Sequence, residues 1–149
     1  MSDTIFTKII NREIPAHIVY EDDVVLAFLD IAPINHGHTL IVPKNPFVNL
    51  FDGDSEVLAQ MMRVGQKIAT ALKASGLAEG ANLIMNNGEA AGQEVFHAHL
   101  HVVPRNLNDQ SFLKPNHVPN PKEQFSDVQK KIQTALSAQV NSLNNRVQE

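Results

Sequence analysis

The stretch His97-Ala98-His99-Leu100-His101-Val102-Val103 alternates histidine with apolar residues. Strand side chains point to opposite faces in turn. The spacing therefore predicts a strand over 97–103, closed by Pro104, with three imidazoles on one face and Ala98, Leu100 and Val102 on the other. Histidine in strict alternation adds nothing to strand propensity, and it costs desolvation free energy if buried without partners. The triplet therefore marks a site. By contrast His17, His36 and His117, each isolated, read as surface or satisfied core positions.

Strand residues two apart are separated by about 6.6 Å of rise and those four apart by about 13 Å. His97 and His101 thus cannot close easily on one ion. A metal site would need two of the three histidines with His38 or Asp30. The same geometry suits a central nucleophilic imidazole whose neighbours hold charged oxygens on either side of the reacting atom.

Upstream, Asn86 to Glu94 is a loop whose Gly88 and Gly92 allow close backbone approach to an anion; it lacks the P-loop pattern. Ala81 to Asn86 reads as a strand. A helix capped by Asp54 or Ser55 runs to about Ser75, with the stripe Leu58, Met61, Met62, Gly65, Ile68, Ala69 and Leu72, and ends at Gly76. Thr39 to Val42 is a strand stopped by Pro43. His17 to Tyr20 and Val24 to Leu29 form a hairpin around Glu21-Asp22-Asp23. Alternation sets Val24, Leu26, Phe28 and Asp30 on one face, an apolar floor ending in a carboxylate. Ile5 to Ile10 is a short helix with Ile5, Phe6 and Ile9 on one side, ended by Ile14-Pro15.

Downstream, residues 105–120, with Pro115 and Pro119, read as a polar linker. Asn120-Pro121-Lys122-Glu123 resembles a helix start. Phe125, Val128, Ile132, Leu136 and Val140 mark a docked C-terminal helix, with 141–149 frayed. The expected class is α+β: an antiparallel meander of about five strands, one long packed helix and a short helix at each end. One domain is expected over 1–149, with a core of about 5–104 and an extension over 105–149.

The chain has 149 residues, 43% hydrophobic and 19% charged, a formal net charge of -4 and no cysteine. Disulfides and thiolate-ligated zinc are excluded. The mild acidity and single tyrosine argue against a nucleic-acid partner. No apolar stretch approaches the roughly 20 residues that span a bilayer, and no secretory signal is visible. The expected location is cytoplasmic, with no membrane partner.

These residues resemble the histidine triad family, in its Hint-like branch. The resemblance rests on His97 to Val103, Ile5-Phe6 with Ile14-Pro15-Ala16, Glu21-Asp22-Asp23, Leu26 to Ile31 with Pro33, His38 with Val42-Pro43-Lys44, Asn86 with Gly88, and Gly92-Gln93. It covers residues 5 to about 104. The tail resembles the extended form of bacterial-type members, and Pro104-Arg105 is shared with the dinucleoside-polyphosphate hydrolase branch.

The resemblance implies a homodimer with a continuous sheet, and a pocket for a nucleoside monophosphate. It implies that His99 is the nucleophile, oriented by the backbone carbonyl of His97. His101, His38 and Asn86 resemble phosphate-site residues, and Gly92 and Gln93 the loop lining the phosphate. Asp30 resembles the acid that binds ribose hydroxyls. Ile5, Phe6, Ile9, Ile14, Phe28 and Ile31 resemble the walls of the base pocket.

Two positions depart from the pattern. Glu94 stands where Hint proteins carry a serine near the leaving group, and Pro46 stands where they carry a histidine. The expected activity is hydrolysis of purine nucleoside 5′-phosphoramidates of the AMP type, through a nucleotidyl–His99 intermediate and with no cofactor or metal. Cleavage of dinucleoside polyphosphates, a nucleotide-binding adaptor with little turnover, and a metal site are the alternatives.

Overall fold

Thr4 caps the first helix, α1 (Ile5–Ile10). Its hydroxyl accepts the Thr7 N–H and Thr7 Oγ1 accepts the Thr4 N–H, both at 3.3 Å. Together they satisfy donors that so short a helix cannot pair internally. Phe6 and Ile9 are buried while Ile5 is half-exposed. The helix stops at Asn11, where Arg12 takes a positive φ of 62°. It does not continue to Ile14-Pro15.

The structure, a computed structural model, describes residues 2–109, 118–119 and 121–147. Five strands form one antiparallel sheet: β1 (Ile18–Glu21), β2 (Val25–Leu29), β3 (Thr39–Pro43), β4 (Gly80–Ile84) and β5 (Leu100–Arg105), in the order β1-β2-β3-β5-β4. The expected meander holds for β1 to β3 and then breaks. The long helix α2 (Ser55–Ala74) carries the chain past the next position in the sheet. β4 therefore lies at the edge, and β5 returns between it and β3.

β3 is buried throughout and β2 is buried up to Phe28, with Leu29 partly exposed. Val25, Ala27 and Ile41 join Leu100 and Val102 of β5 in a core against Met61, Val64, Ile68 and Leu72 of α2. Their alternates Leu26, Phe28, Leu40 and Val42 form a second cluster with Phe6 and Ile9 of α1. A period of two thus sorts one strand into two cores. α2 is capped by Asp54, whose carboxylate accepts the N–H groups of Glu56 and Val57. Its buried stripe is centred on Val64, which is fully buried, whereas Met62 is 52% exposed. Met62 therefore lies off the stripe on which the spacing had placed it.

Two corrections concern β5. It begins at Leu100, three residues later than expected. His97, Ala98 and His99 form its approach, anchored by the Ala98 N–H on the Phe47 carbonyl at 2.8 Å. It also passes through Pro104. Pairing with β3 ends at Thr39 opposite Val102, so no β3 residue meets the missing N–H. The Pro104 carbonyl instead accepts the Asn35 side-chain amide at 2.8 Å. Residues 105–109 are likewise no linker, since Arg105 donates to Asp109 at 2.8 and 2.5 Å and to Asn82 at 2.9 Å.

Gly37 turns the chain into β3 with φ +96°, and a Cβ there would lie 2.6 Å from Leu72 Cδ2. The left-handed conformation alone costs a non-glycine residue roughly 1–2 kcal/mol. Gly37→Ala is expected to lower unfolding stability by at least that much in urea titration; an unchanged midpoint would contradict the packing described.

The chain divides into two compact units, 1–112 and 113–149. In the second, a 3-10 turn (Pro121–Gln124) leads into α3 (Phe125–Val147). The helix continues beyond the expected frayed point at residue 141. Its stripe was expected to be buried, but Phe125, Val128, Ile132 and Leu136 are between 45% and 59% exposed. Helix periodicity records which face is apolar and not what covers it. Asn120, Pro115 and His117 lie outside the described residues. No described helix is long and apolar enough to cross a membrane.

Candidate active site

A cavity of about 600 Å³ opens on the α1 side of the sheet. Ile5, Phe6 and Ile9 of α1, the following Ile14, and Phe28 and Ile31 form its apolar wall, where a base was expected. Asp30, one residue beyond β2, lines it as the alternation predicted. Its Oδ1 accepts the Ala32 N–H at 2.9 Å, which aims the carboxylate. His38, His99, His101, Asn86, Gly92 and Glu94 lie in the same lining. Leu40 and Val95 also line it and were not anticipated. The alternation that gave Phe28 would have given Leu40, its antiparallel partner.

Two predicted residues lie elsewhere. His97 has no exposed surface. Its ring is held by Thr4 Oγ1 at 3.1 Å on Nδ1 and by the Pro43 carbonyl at 3.0 Å on Nε2. Gln93 is buried beneath the glycine loop. Its Oε1 accepts the Gly88 N–H at 2.8 Å and the Asn49 amide at 3.0 Å, while its Nε2 donates to the Val48 carbonyl at 2.6 Å. Gln93 thus shapes the loop from below, and its side chain does not line the cavity. Gly88 and Gly92 take φ +92° and +81° around the 3-10 turn Glu89–Ala91, a conformation that favours glycine. Asn49 and Thr4 carry no motif signal; only their contacts reveal them. His17 and His36 are exposed, as their isolation suggested.

The hydrogen bonds fix the neutral tautomers. A backbone N–H can only donate, and Ile34 N lies 3.1 Å from His38 Nδ1. Neutral His38 therefore carries its proton on Nε2. That atom lies 2.9 Å from His101 Nδ1, so His101 accepts there and keeps its own N–H on Nε2. His99 Nδ1 lies 2.8 Å from the His97 carbonyl, which can only accept. His99 therefore holds its proton on Nδ1 and leaves Nε2 as a lone pair. Every buried side-chain N and O among the described residues has a partner.

Burial lowers all four histidines below the ordinary imidazole range. For His38 desolvation is opposed by the Asp30 charge. For His97 it is opposed by the Pro43 carbonyl, and for His99 by the His97 carbonyl and Asp30. His101 falls furthest, to about 4, because desolvation is reinforced by His99 and His38. These side chains are neutral at pH 7, which matches the tautomers above.

Asp30, His38 and His101 each offer a ligand atom, all within 4.8 Å of one another. A cation there would displace the proton shared between the two rings. The triplet itself does not converge, as its spacing implied: His101 joins the group, whereas His97 points into the α1 cap.

Residues 11–108 match the HIT domain, and the chain belongs to the HIT family. The chain is 44% identical over 135 residues to an uncharacterized HIT-like protein of Borreliella burgdorferi, covering 89% of this chain and 97% of that one. It is 43% identical over 109 residues to the adenylylsulfatase HINT3 of Arabidopsis thaliana, covering 72% and 55%. The histidine triad nucleotide-binding protein of Candida albicans superposes with a TM-score of 0.80 at 29% identity, covering 91% and 99%. The family is one of nucleotide-binding hydrolases and transferases.

Proposed function

We propose that the protein hydrolyses nucleoside 5′-phosphoramidates of the AMP type through a nucleotidyl–His99 intermediate. The observation that carries this reading is the His99–His97 carbonyl bond of 2.8 Å. It commits Nδ1 as donor and leaves Nε2 as an attacking lone pair at the cavity wall. The base lies in the apolar slot of Ile5, Phe6, Ile9, Ile14 and Phe28, and the ribose diol donates to Asp30.

His99 Nε2 attacks phosphorus, the P–N bond to the leaving group breaks, and the leaving nitrogen takes a proton from solvent, which the water of the second step returns. His101 Nε2–H donates to a non-bridging oxygen, and its donor state is set by His38. Water then attacks the nucleotidyl–histidine, breaking its P–N bond to give AMP and free His99. Glu94 is exposed at the cavity rim. An ionised carboxylate only accepts hydrogen bonds, so it favours an amine leaving group over an anionic polyphosphate.

Asymmetric cleavage of dinucleoside polyphosphates had Arg105 in its favour. That guanidinium is engaged by Asp109 and Asn82 and is absent from the cavity lining. The test pairs adenosine 5′-phosphoramidate with diadenosine tetraphosphate, each with and without chelator. AMP release from the first, unaffected by chelator, is expected. Release from the tetraphosphate alone, loss of activity with chelator, or AMP binding without turnover would each overturn the reading in favour of one of its rivals.

We also infer a homodimer. β4 has no strand on its outer edge among the described residues, and unpaired strand edges invite pairing. Met62 on the neighbouring helix is exposed. Light scattering is expected to give twice the chain mass of 16.4 kDa.

A further inference from the structure

Thr4 and His99 are linked by hydrogen bonds that meet on His97, one at its ring and one at its backbone carbonyl. The far links are fixed by atoms that can only accept. His97 Nε2 lies 3.0 Å from the Pro43 carbonyl, so it bears the proton and Nδ1 is a lone pair. Thr4 Oγ1, 3.1 Å from that lone pair, must donate its hydroxyl proton to it. The Thr7 hydroxyl, 3.3 Å from Thr4 Oγ1, is placed to donate in turn. From the other side of the same residue, the His97 carbonyl accepts His99 Nδ1–H at 2.8 Å.

We propose that Thr4 is a positioning residue, which by donating to His97 Nδ1 holds the His97 backbone carbonyl where it selects the His99 tautomer that attacks. The inference rests on the proposed role of His99. It assigns a second polar function to a residue that also caps α1. His97 is fully buried, and its ring is clamped between α1 on one side and the end of β3 on the other. Loss of the Thr4 donor leaves a buried lone pair unpaired, and the residue regains a partner only by shifting against the peptide plane that carries both its carbonyl and the Ala98 N–H bonded to Phe47. Phe6, the second residue of α1, meets His97 and His99 with ring centroids at 5.7 and 5.0 Å. α1 therefore registers both rings at once, and Thr4 supplies the polar part of that registration.

The test compares Thr4→Val, which removes the donor without opening space, with Thr4→Ser, which restores it. Loss of orientation rather than of binding is expected to lower kcat for adenosine 5′-phosphoramidate by about tenfold. The dissociation constant for AMP should change by less than about threefold, because the base and ribose contacts remain. Imidazole 15N spectra of the unliganded protein should show His99 in the Nδ1–H form in wild type, a mixture of tautomers in Thr4→Val and the wild-type pattern in Thr4→Ser. If valine unsettles α1, Thr4→Gly gives the same reading, since glycine is tolerated at helix N-caps.

An unchanged His99 spectrum in the variants lacking the hydroxyl overturns the proposal, whatever turnover does. So does a serine variant that fails to restore it. The spectra stand independently of substrate: a wild-type protein that cleaves no phosphoramidate would defeat the functional reading and leave the role of Thr4 to be decided by the tautomer.

Discussion

His99→Ala is expected to lower turnover of adenosine 5′-phosphoramidate on the order of 10⁴-fold or more, the scale on which removal of a nucleophile acts. AMP affinity should fall by less than about tenfold, a difference of about 1.4 kcal/mol. The separation follows from where the contacts lie. The apolar wall of α1 and Phe28, and the Asp30 carboxylate, are independent of the His99 ring and remain to hold the nucleoside. What alanine removes is Nε2, the lone pair isolated by the bond to the His97 carbonyl. The ring also packs edge-on against Phe6 at 5.0 Å between centroids, so some stability is lost with it. His99→Gln, which keeps bulk, serves as the second variant. Turnover above one-tenth of wild type in either variant, with steady-state and single-turnover measurements agreeing, would remove His99 from the attacking role. An acid-labile nucleotide adduct trapped in wild type and absent from both variants would place the covalent bond on this side chain.

Much of this site was legible in the sequence because a strand is a ruler. Period-two alternation placed Phe28 with Asp30 on one face of their strand, and Leu100 with Val102 on the face of theirs opposite the histidines; the structure puts Phe28 and Leu100 in separate cores. The same ruler, applied to the histidines, excluded convergence of all three on one ion. It misjudged where the ruler begins: His97 to His99 approach the strand without belonging to it, and the His97 ring reaches α1, 93 residues away in sequence. That contact has no local signature. The Thr4 hydroxyl caps α1 and meets His97 through the same oxygen, and neither role is marked in the sequence. The direction of the Gln93 side chain was not legible for a related reason. A motif position says that the residue matters to the loop, while the direction of its side chain depends on Asn49 and Val48, which come from a distant segment. Sheet order beyond β3 was equally inaccessible, because the length of α2 permits the next strand to enter on either side of β5. The apolar stripe of α3 was visible in the sequence, but nothing in its periodicity identifies a partner.

Stability is expected to fall as pH drops from 7 to 5.5, before most carboxylates titrate. His38, His97, His99 and His101 all have folded-state pKa values lowered chiefly by desolvation. In the unfolded chain they return to about 6.5. The native state therefore binds fewer protons than the unfolded state through this window, and stability that is present above the unfolded value is lost as pH falls toward the folded one. For His101, lowered to about 4, linkage gives a loss of about 1 kcal/mol between pH 7 and 5.5, and the other three act in the same direction. Urea titrations at the two pH values measure the sum. His101→Gln, whose amide oxygen can still accept from His38 Nε2–H, should shrink the difference by about 1 kcal/mol. A wild-type protein equally stable at both pH values, or a variant with the same pH dependence, would contradict the buried neutral cluster. The sign also bears on chemistry. The burial that makes the cluster acid-sensitive keeps the His99 lone pair unprotonated below the ordinary imidazole range, so catalytic readiness and acid lability have one physical origin. Nucleotide binding should oppose both effects, because a phosphate beside His101 favours the protonated imidazole. AMP should therefore stabilise the fold more at pH 5.5 than at pH 7, and the increment should shrink in His101→Gln.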